Sequence, residues 1–211
     1  MPKVHKRVSV IVWCAVLVMA LQTVVNGETT NVLPTSSTPS EASTKGALNA
    51  ELLDLELVDQ DGNKLKFKSD VVGDKVAVII PFYTTCTTAF PILIFMFTQL
   101  QEMLGERLGK DVVLASVSVD PKTDTPMRIK AYARRQKALP GWLFLSGDRS
   151  HLGQVLHGVG VLYSPSIEEH NHIPVTLVGS ARGPWKRFHG FPSPDQIYSE
   201  VSHVLAARPQ S

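Results

Sequence analysis

Two cysteines stand in the 211-residue chain, Cys14 and Cys86. Cys14 follows Trp13 inside an apolar run and reads as one more small apolar residue. Cys86 sits in FYTTCTTAFP, between a β-rich run that ends at Phe82 and a helical pattern that opens near Thr87. A thiol at a strand-to-helix junction lies in the field of the helix N-terminus, which lowers its pKa and favours thiolate. Thiolates are nucleophiles and soft metal ligands, so a reactive or metal-binding role is favoured over an inert buried thiol. A dithiol–disulfide cycle needs a resolving thiol, and no second cysteine follows residue 27. Intramolecular thiol exchange is therefore excluded for this chain alone. A mixed disulfide with a partner, or a disulfide-linked homodimer through Cys86, stays open. Asp120 and Asp124 read as carboxylates that hold their loop and approach the next helix N-terminus, with acid groups near the thiol as the alternative.

Elements able to position that thiol follow from Leu52 onward. LLDLELVDQDGNKLKF carries period-two stretches either side of Asp61-Gly62-Asn63, a hairpin signal. KVAVIIPF (75–82) and DVVLASVSV (111–119) are nearly continuous β-rich runs, as in strands covered on both faces. Between them, Thr87–Leu108 reads as a helix with Phe90, Ile94, Phe97, Leu104 and Leu108 near one face. Thr125-Pro126 opens a second helix through about Gln136, and Ser193 opens the last one, with Ile197, Val201, Val204 and Leu205 inward. Trp142–Leu145 is a short strand, His151–His157 a short helix, and Val175–Val178 with Trp185–Phe188 a closing hairpin. Strands joined by helices demand a central sheet with flanking helices. The expected fold is α/β: a thioredoxin-like central sheet with flanking helices and an N-terminal β-hairpin extension, over residues 48–211. The thiol then lies on the loop where the first long strand meets its helix.

The N-terminus bears on compartment. Lys3, His5, Lys6 and Arg7 precede the apolar run VSVIVWCAVLVMAL, and Val25 and Gly27 occupy the positions signal peptidases accept. Residues 1–27 read as a signal peptide or, with the run extended through Val25, as an uncleaved membrane anchor over 8–25. Either way the remainder is expected outside the cytoplasm, in a periplasm or on the extracytoplasmic face of a membrane. Residues 28–47, rich in Ser, Thr and Pro without hydrophobic period, read as a flexible linker. Beyond residue 27 the body holds 18 basic against 19 acidic side chains. That balance lacks the basic excess of a nucleic-acid binder and excludes the class.

The stretch FYTTCTTAFPILIFMFTQLQEMLGERLGKDVVLASVSVDPKTDTP resembles the Sco/SenC family of thioredoxin-fold copper proteins. The likeness continues through AYARRQ, PGWLFLSG, EEHNHIPVTLVG and Trp185-Lys186-Arg187, covering about Leu52 to Leu205. The resemblance implies Cu(I) as the bound metal and copper delivery or thiol maintenance during cytochrome c oxidase assembly as the function. The implied partner is a membrane respiratory oxidase subunit or another copper carrier. The family binds copper through Cys-x-x-x-Cys-Pro and a distant histidine. Cys86 falls on the first cysteine and Pro91 on the proline, but Phe90 stands at the second cysteine. His172, just before Ile173-Pro174-Val175-Thr176-Leu177, matches the distant histidine, with His170 as its alternative. Cys86 and His172 are thus the implied metal ligands. Positions 86 and 90, four apart on a first helical turn, would share a face. One thiolate and one imidazole leave an open, weaker site than the family's three donors; a soft third ligand would be His170 or Met96.

Two further readings compete. A thioredoxin-fold scaffold that has lost its metal and binds partner proteins is supported by Phe90. A one-cysteine thiol peroxidase is disfavoured, since the Pro-x-x-x-Thr-x-x-Cys loop of peroxiredoxins would need Pro and Thr where Ile79 and Tyr83 stand. His151, His157, His189 and His203 lack the spacing and context of ligands and read as surface or packing residues.

Overall fold

The computed structural model describes residues 48–161 and 174–208. The expected export segment (1–27), the expected linker (28–47), His170 and His172 lie outside the described residues.

The hairpin forms as its turn residues dictate. Strands β1 (Glu56–Asp59) and β2 (Lys64–Lys66) pair antiparallel, with Leu57 opposite Leu65. Asp59 closes the turn by accepting from the backbone of Asp61 and Asn63, both at 2.8 Å, while Gly62 takes φ +88°. The period-two pattern stops there. Phe67–Val72 form a wide helical turn that buries Phe67, Val71 and Val72, an element the alternation through Phe67 does not announce.

At the centre lie β3 (Val76–Phe82) and β4 (Val112–Ser118), parallel and buried along their whole length, as their unbroken apolar runs require. β5 (Trp142–Ser146) extends the parallel set beside β4. On the other side of β3, β6 (Val175–Ser180) runs antiparallel and continues into β7 (Lys186–His189). The seven strands lie in the order β2-β1-β5-β4-β3-β6-β7, so the sheet is mixed rather than wholly parallel. Apolar runs announce strands but carry no information about the direction in which each is entered. The β6–β7 hairpin closes tightly: Trp185 is buried across Gly179, where a Cβ would collide with the indole.

Among the described residues, four helices flank the sheet: α1 (Ala89–Leu104), α2 (Pro126–Arg135), α3 (Arg149–Gly158) and α4 (Pro194–Ala206). The inner face of α1 buries Phe90, Leu93, Ile94, Met96, Phe97, Leu100 and Leu104. α4 packs against α1, and α3 against β1 and β4. Gln101 of α1 donates to the Lys137 carbonyl at 3.1 Å and accepts from Leu139 N at 3.0 Å, tying α1 to the chain after α2. α1 is shorter than its hydrophobic pattern: Gly105, at φ +52°, ends it, and Leu108 follows a further single turn. Among the described residues no helix is long and apolar enough to cross a membrane.

Candidate functional site

The Cys86 loop begins where β3 runs out and is anchored from beneath. Asp124, with no exposed surface, accepts from Thr84 N at 3.1 Å and from Thr84 Oγ1 at 2.5 Å through one oxygen. Its other oxygen accepts from Ser118 Oγ at 2.7 Å. Burial raises the Asp124 pKa above the ordinary carboxylate value, although the Thr84 and Ser118 hydrogen bonds pull the other way. Arg128 of α2 donates through Nε to Thr84 Oγ1 at 2.9 Å, so the loop is held by β4 and α2 together. Asp124 therefore fills the loop-holding role expected of it. The cap of α2 is its neighbour Thr125, whose hydroxyl accepts from Arg128 N at 3.4 Å.

Within this frame the Cys86 amide donates to the Tyr83 carbonyl at 3.3 Å, a tight turn that leaves the thiol half-buried. Burial alone would raise the thiol pKa. The Phe90 amide, the Tyr83 hydroxyl, the Thr88 amide and the Thr88 hydroxyl oppose that effect and bring it below the ordinary value. Sγ lies 3.7 Å from Thr88 Oγ1. Burial, and then its hydrogen bond to Cys86, push the Tyr83 phenol up to about 12, so it stays protonated and donates toward the sulfur. Burial also raises Tyr132, and the nearby thiolate charge adds to the shift.

The relation between positions 86 and 90 differs from the sequence expectation. Cys86 is not on the first helical turn: α1 begins at Ala89, three residues later, because Thr87 and Thr88 remain outside it. Thr88, the cap residue, makes no side-chain cap bond. It is the Phe90 backbone amide, not its side chain, that acts on the thiol, helping to lower its pKa. The Phe90 ring is only 3% exposed and stands edge-on to Tyr83, centroids 5.1 Å apart. Pro91 lies in the first turn of α1, where a missing N–H costs no helical bond.

Other candidates separate from the thiol. Met96, considered as a soft donor, is buried in the core, about 10 Å along α1 from its start. His151 sets Nδ1 2.9 Å from the Glu56 carbonyl, and His203 lies 3.7 Å from Glu200. His157 and His189 are exposed. Those four histidines are surface and packing residues, as expected. Ile79 is fully buried within β3, and Tyr83 turns its hydroxyl to the thiol. Sequence reasoning missed the part played by Tyr83 and the Phe90 amide. A phenol three residues before a cysteine is a readable signal, but the amide is not.

Among the described residues no group of three or more His, Cys, Asp or Glu gathers as a metal site requires. The donor set there is a single activated thiolate. That set fits one-point attachment of a soft ion, and the expected imidazole donors His170 and His172 lie outside the described residues.

The chain is similar in sequence and fold to known proteins. An SCO2-like protein of Rickettsia conorii is 28% identical over 111 residues, 53% of this chain and 52% of the relative. An SCO1 protein homolog of Bacillus subtilis is 31% identical over 104 residues, 49% and 52% of the two chains. A putative copper-binding protein of Stutzerimonas stutzeri is 25% identical over 126 residues, 60% of each. The chain thus spans about half the length of the curated relatives it matches. In fold it is similar to BsSco, a member of the Sco family of cytochrome c oxidase assembly proteins in which a disulfide switch was identified. The TM-score is 0.64 at 23% identity, over 78% of this chain and 98% of that one. It is also similar to yeast Sco1 with copper bound, with a TM-score of 0.58 at 18% identity, over 76% and 97%. Residues 45–206 match the SCO1/SenC family over most of the chain, and the protein belongs to that family.

Proposed function

We propose that this chain is an exported copper-binding or copper-delivery factor for cytochrome c oxidase maturation, working with a reduced ligand set. The observation that carries the reading is Cys86: a half-buried thiol with lowered pKa, at the strand-to-helix loop of a SCO1/SenC fold. Cu(I) is soft and takes thiolate and imidazole donors. Cys86 supplies the thiolate and His172 the imidazole, with His170 as the alternative. With Phe90 committed to the core, the site keeps an open position, which favours handing the ion on over storing it. The partner is a membrane oxidase subunit or another copper carrier, met in a periplasm or on the extracytoplasmic face of a membrane, with residues 1–27 as a cleaved signal peptide or, over 8–25, as an anchor. Without a resolving thiol, any disulfide of Cys86 is intermolecular, with a partner or in a linked homodimer.

The test is a Cu(I) titration of the reduced protein against a chromophoric chelator. One-to-one binding that Cys86→Ser abolishes and His172→Ala weakens is the expected result. If both variants bind like the parent, the ligand assignment is wrong. A second reading rests on Phe90, whose edge-on contact with Tyr83 makes the lost donor position part of the core. There the domain is a metal-free scaffold for partner proteins. It is favoured if copper binds no better than to Cys86→Ser, while deletion still impairs an oxidase.

A further inference from the structure

We propose that the outward face of α1 is an interface on which a second copy of this chain packs antiparallel, with the two-fold axis at Phe95. A helix on a sheet normally turns charged side chains outward, but here no charged residue occurs from Val76 to Gln101. The outward face instead presents Ile92 at 47% and Phe95 at 60% exposure, three residues apart and hence side by side. Pro91 and Met103 extend the ridge in both directions. Adjoining apolar side chains of this size on a helix surface mark an interaction site.

The charges around the ridge specify the occupant. Its C-terminal end carries the exposed Glu102 and Glu106 before Arg107 and Lys110, and it is the two glutamates that continue the ridge. Its N-terminal end carries the positive helix terminus and the exposed Arg128, held at the Thr84 loop. In an antiparallel pair centred on Phe95, Glu102 of one copy comes opposite Thr88 of the other, each seven residues from the axis. Glu106 then approaches the loop of Thr84 and Arg128. Glu102 and Glu106 of each copy meet the positive helix start and Arg128 of the other, the helix dipoles oppose favourably, and the apolar centre meets itself. A parallel pair would instead set Glu102 against Glu102. This self-complementarity of one patch is what an isologous dimer requires.

The interface forms without thiol oxidation, although Glu106 of one copy then lies beside the loop that holds Cys86 of the other. Ala89 lies six residues from Phe95, so the two helix starts, with the Cys86 loops just beyond them, are about 18 Å apart along the axis. The dimer is therefore not the Cys86-linked one.

Sedimentation velocity of the full chain, reduced and in a non-ionic detergent, tests the proposal. The parent and Cys86→Ser are expected to be dimers. Phe95→Glu and Ile92→Glu should each weaken association at least about tenfold and leave the helical circular dichroism unchanged, because both side chains are exposed. Should Phe95→Glu disturb the fold, Phe95→Gln gives the same reading more gently. Glu102→Arg should weaken the dimer, and adding Arg128→Glu should restore part of it. A monomer at every concentration overturns the proposal and leaves the ridge to the chain's own apolar residues or to a different protein. A dimer indifferent to Phe95 and Ile92 also overturns it.

Discussion

The turn from β3 into α1 and the turn from β4 into α2 sit side by side at one end of the same parallel pair, yet they are built differently. At the second, Thr125 caps α2 with its hydroxyl and Pro126 follows in the first turn. The other two helices are capped in the same way. Asp148 accepts from Ser150 N and His151 N for α3, and Ser193 forms a capping box with Gln196 for α4. At the first turn Thr88 leaves the cap position without a side-chain oxygen bond, and the Phe90 and Thr88 amides act instead to lower the pKa of the Cys86 thiol. Among the described helices, oxygen caps stabilise α2, α3 and α4, while at α1 the first amides favour a thiolate. Such a start is weaker structure and stronger chemistry.

The contrast can be broken from beneath. Asp124→Ala leaves Thr84 N–H, Thr84 O–H and Ser118 O–H without their buried acceptor. It should cost about 3 kcal/mol of stability in urea unfolding and slow Cys86 alkylation as the loop loses its set. Next in size is Phe90→Ala, which removes a buried ring from Tyr83 and should cost about 3 kcal/mol or slightly less, since the amide acting on the thiol remains. Unlike Asp124→Ala, it should leave the thiol's alkylation midpoint nearly in place. The caps then give the direct comparison: Thr125→Ala and Ser193→Ala should each cost about 1 kcal/mol, and Thr88→Ala under about 0.5 kcal/mol. A Thr88→Ala loss as large as that of Thr125→Ala would erase the distinction.

The smallest effect is a linkage. The folded Cys86 pKa is depressed below 9.0, so its contribution to stability is present above the unfolded thiol value and is lost as pH falls through the folded one. Unfolding of the parent and of Cys86→Ser should therefore diverge in favour of the parent as pH rises from neutral toward 9.0. Parallel curves would leave the thiol unlinked to folding.

Much of this was legible in the residues. Asp61-Gly62-Asn63, Thr125-Pro126 and Ser193-Pro194 mark turns and helix starts through local chemistry, and all three form where expected. The buried runs of β3 and β4 announce themselves by composition. Direction was not legible: nothing in Val175–Ser180 says that β6 runs against β3, because pairing direction is decided by tertiary context. The start of α1 differs because the four threonines of TTCTT are all acceptable cap residues and nothing local selects Thr88 among them. Phe90 was readable as a lost donor, but that its amide acts on the thiol while its ring enters the core depends on where the helix begins. Asp124 was legible as a loop holder. Its complete burial, and its hold on Thr84 across forty residues of sequence, were not.

The central claim is that the β3–α1 junction has replaced a helix cap by an activated thiolate. The most direct measurement is the pH dependence of Cys86 alkylation in the folded full chain, carried out in a Cys14→Ser background so that one thiol is followed. A midpoint below the ordinary thiol value of 9.0, returning toward that value when the protein is unfolded in urea, is the result expected. A midpoint at or above 9.0 in the folded protein would contradict it.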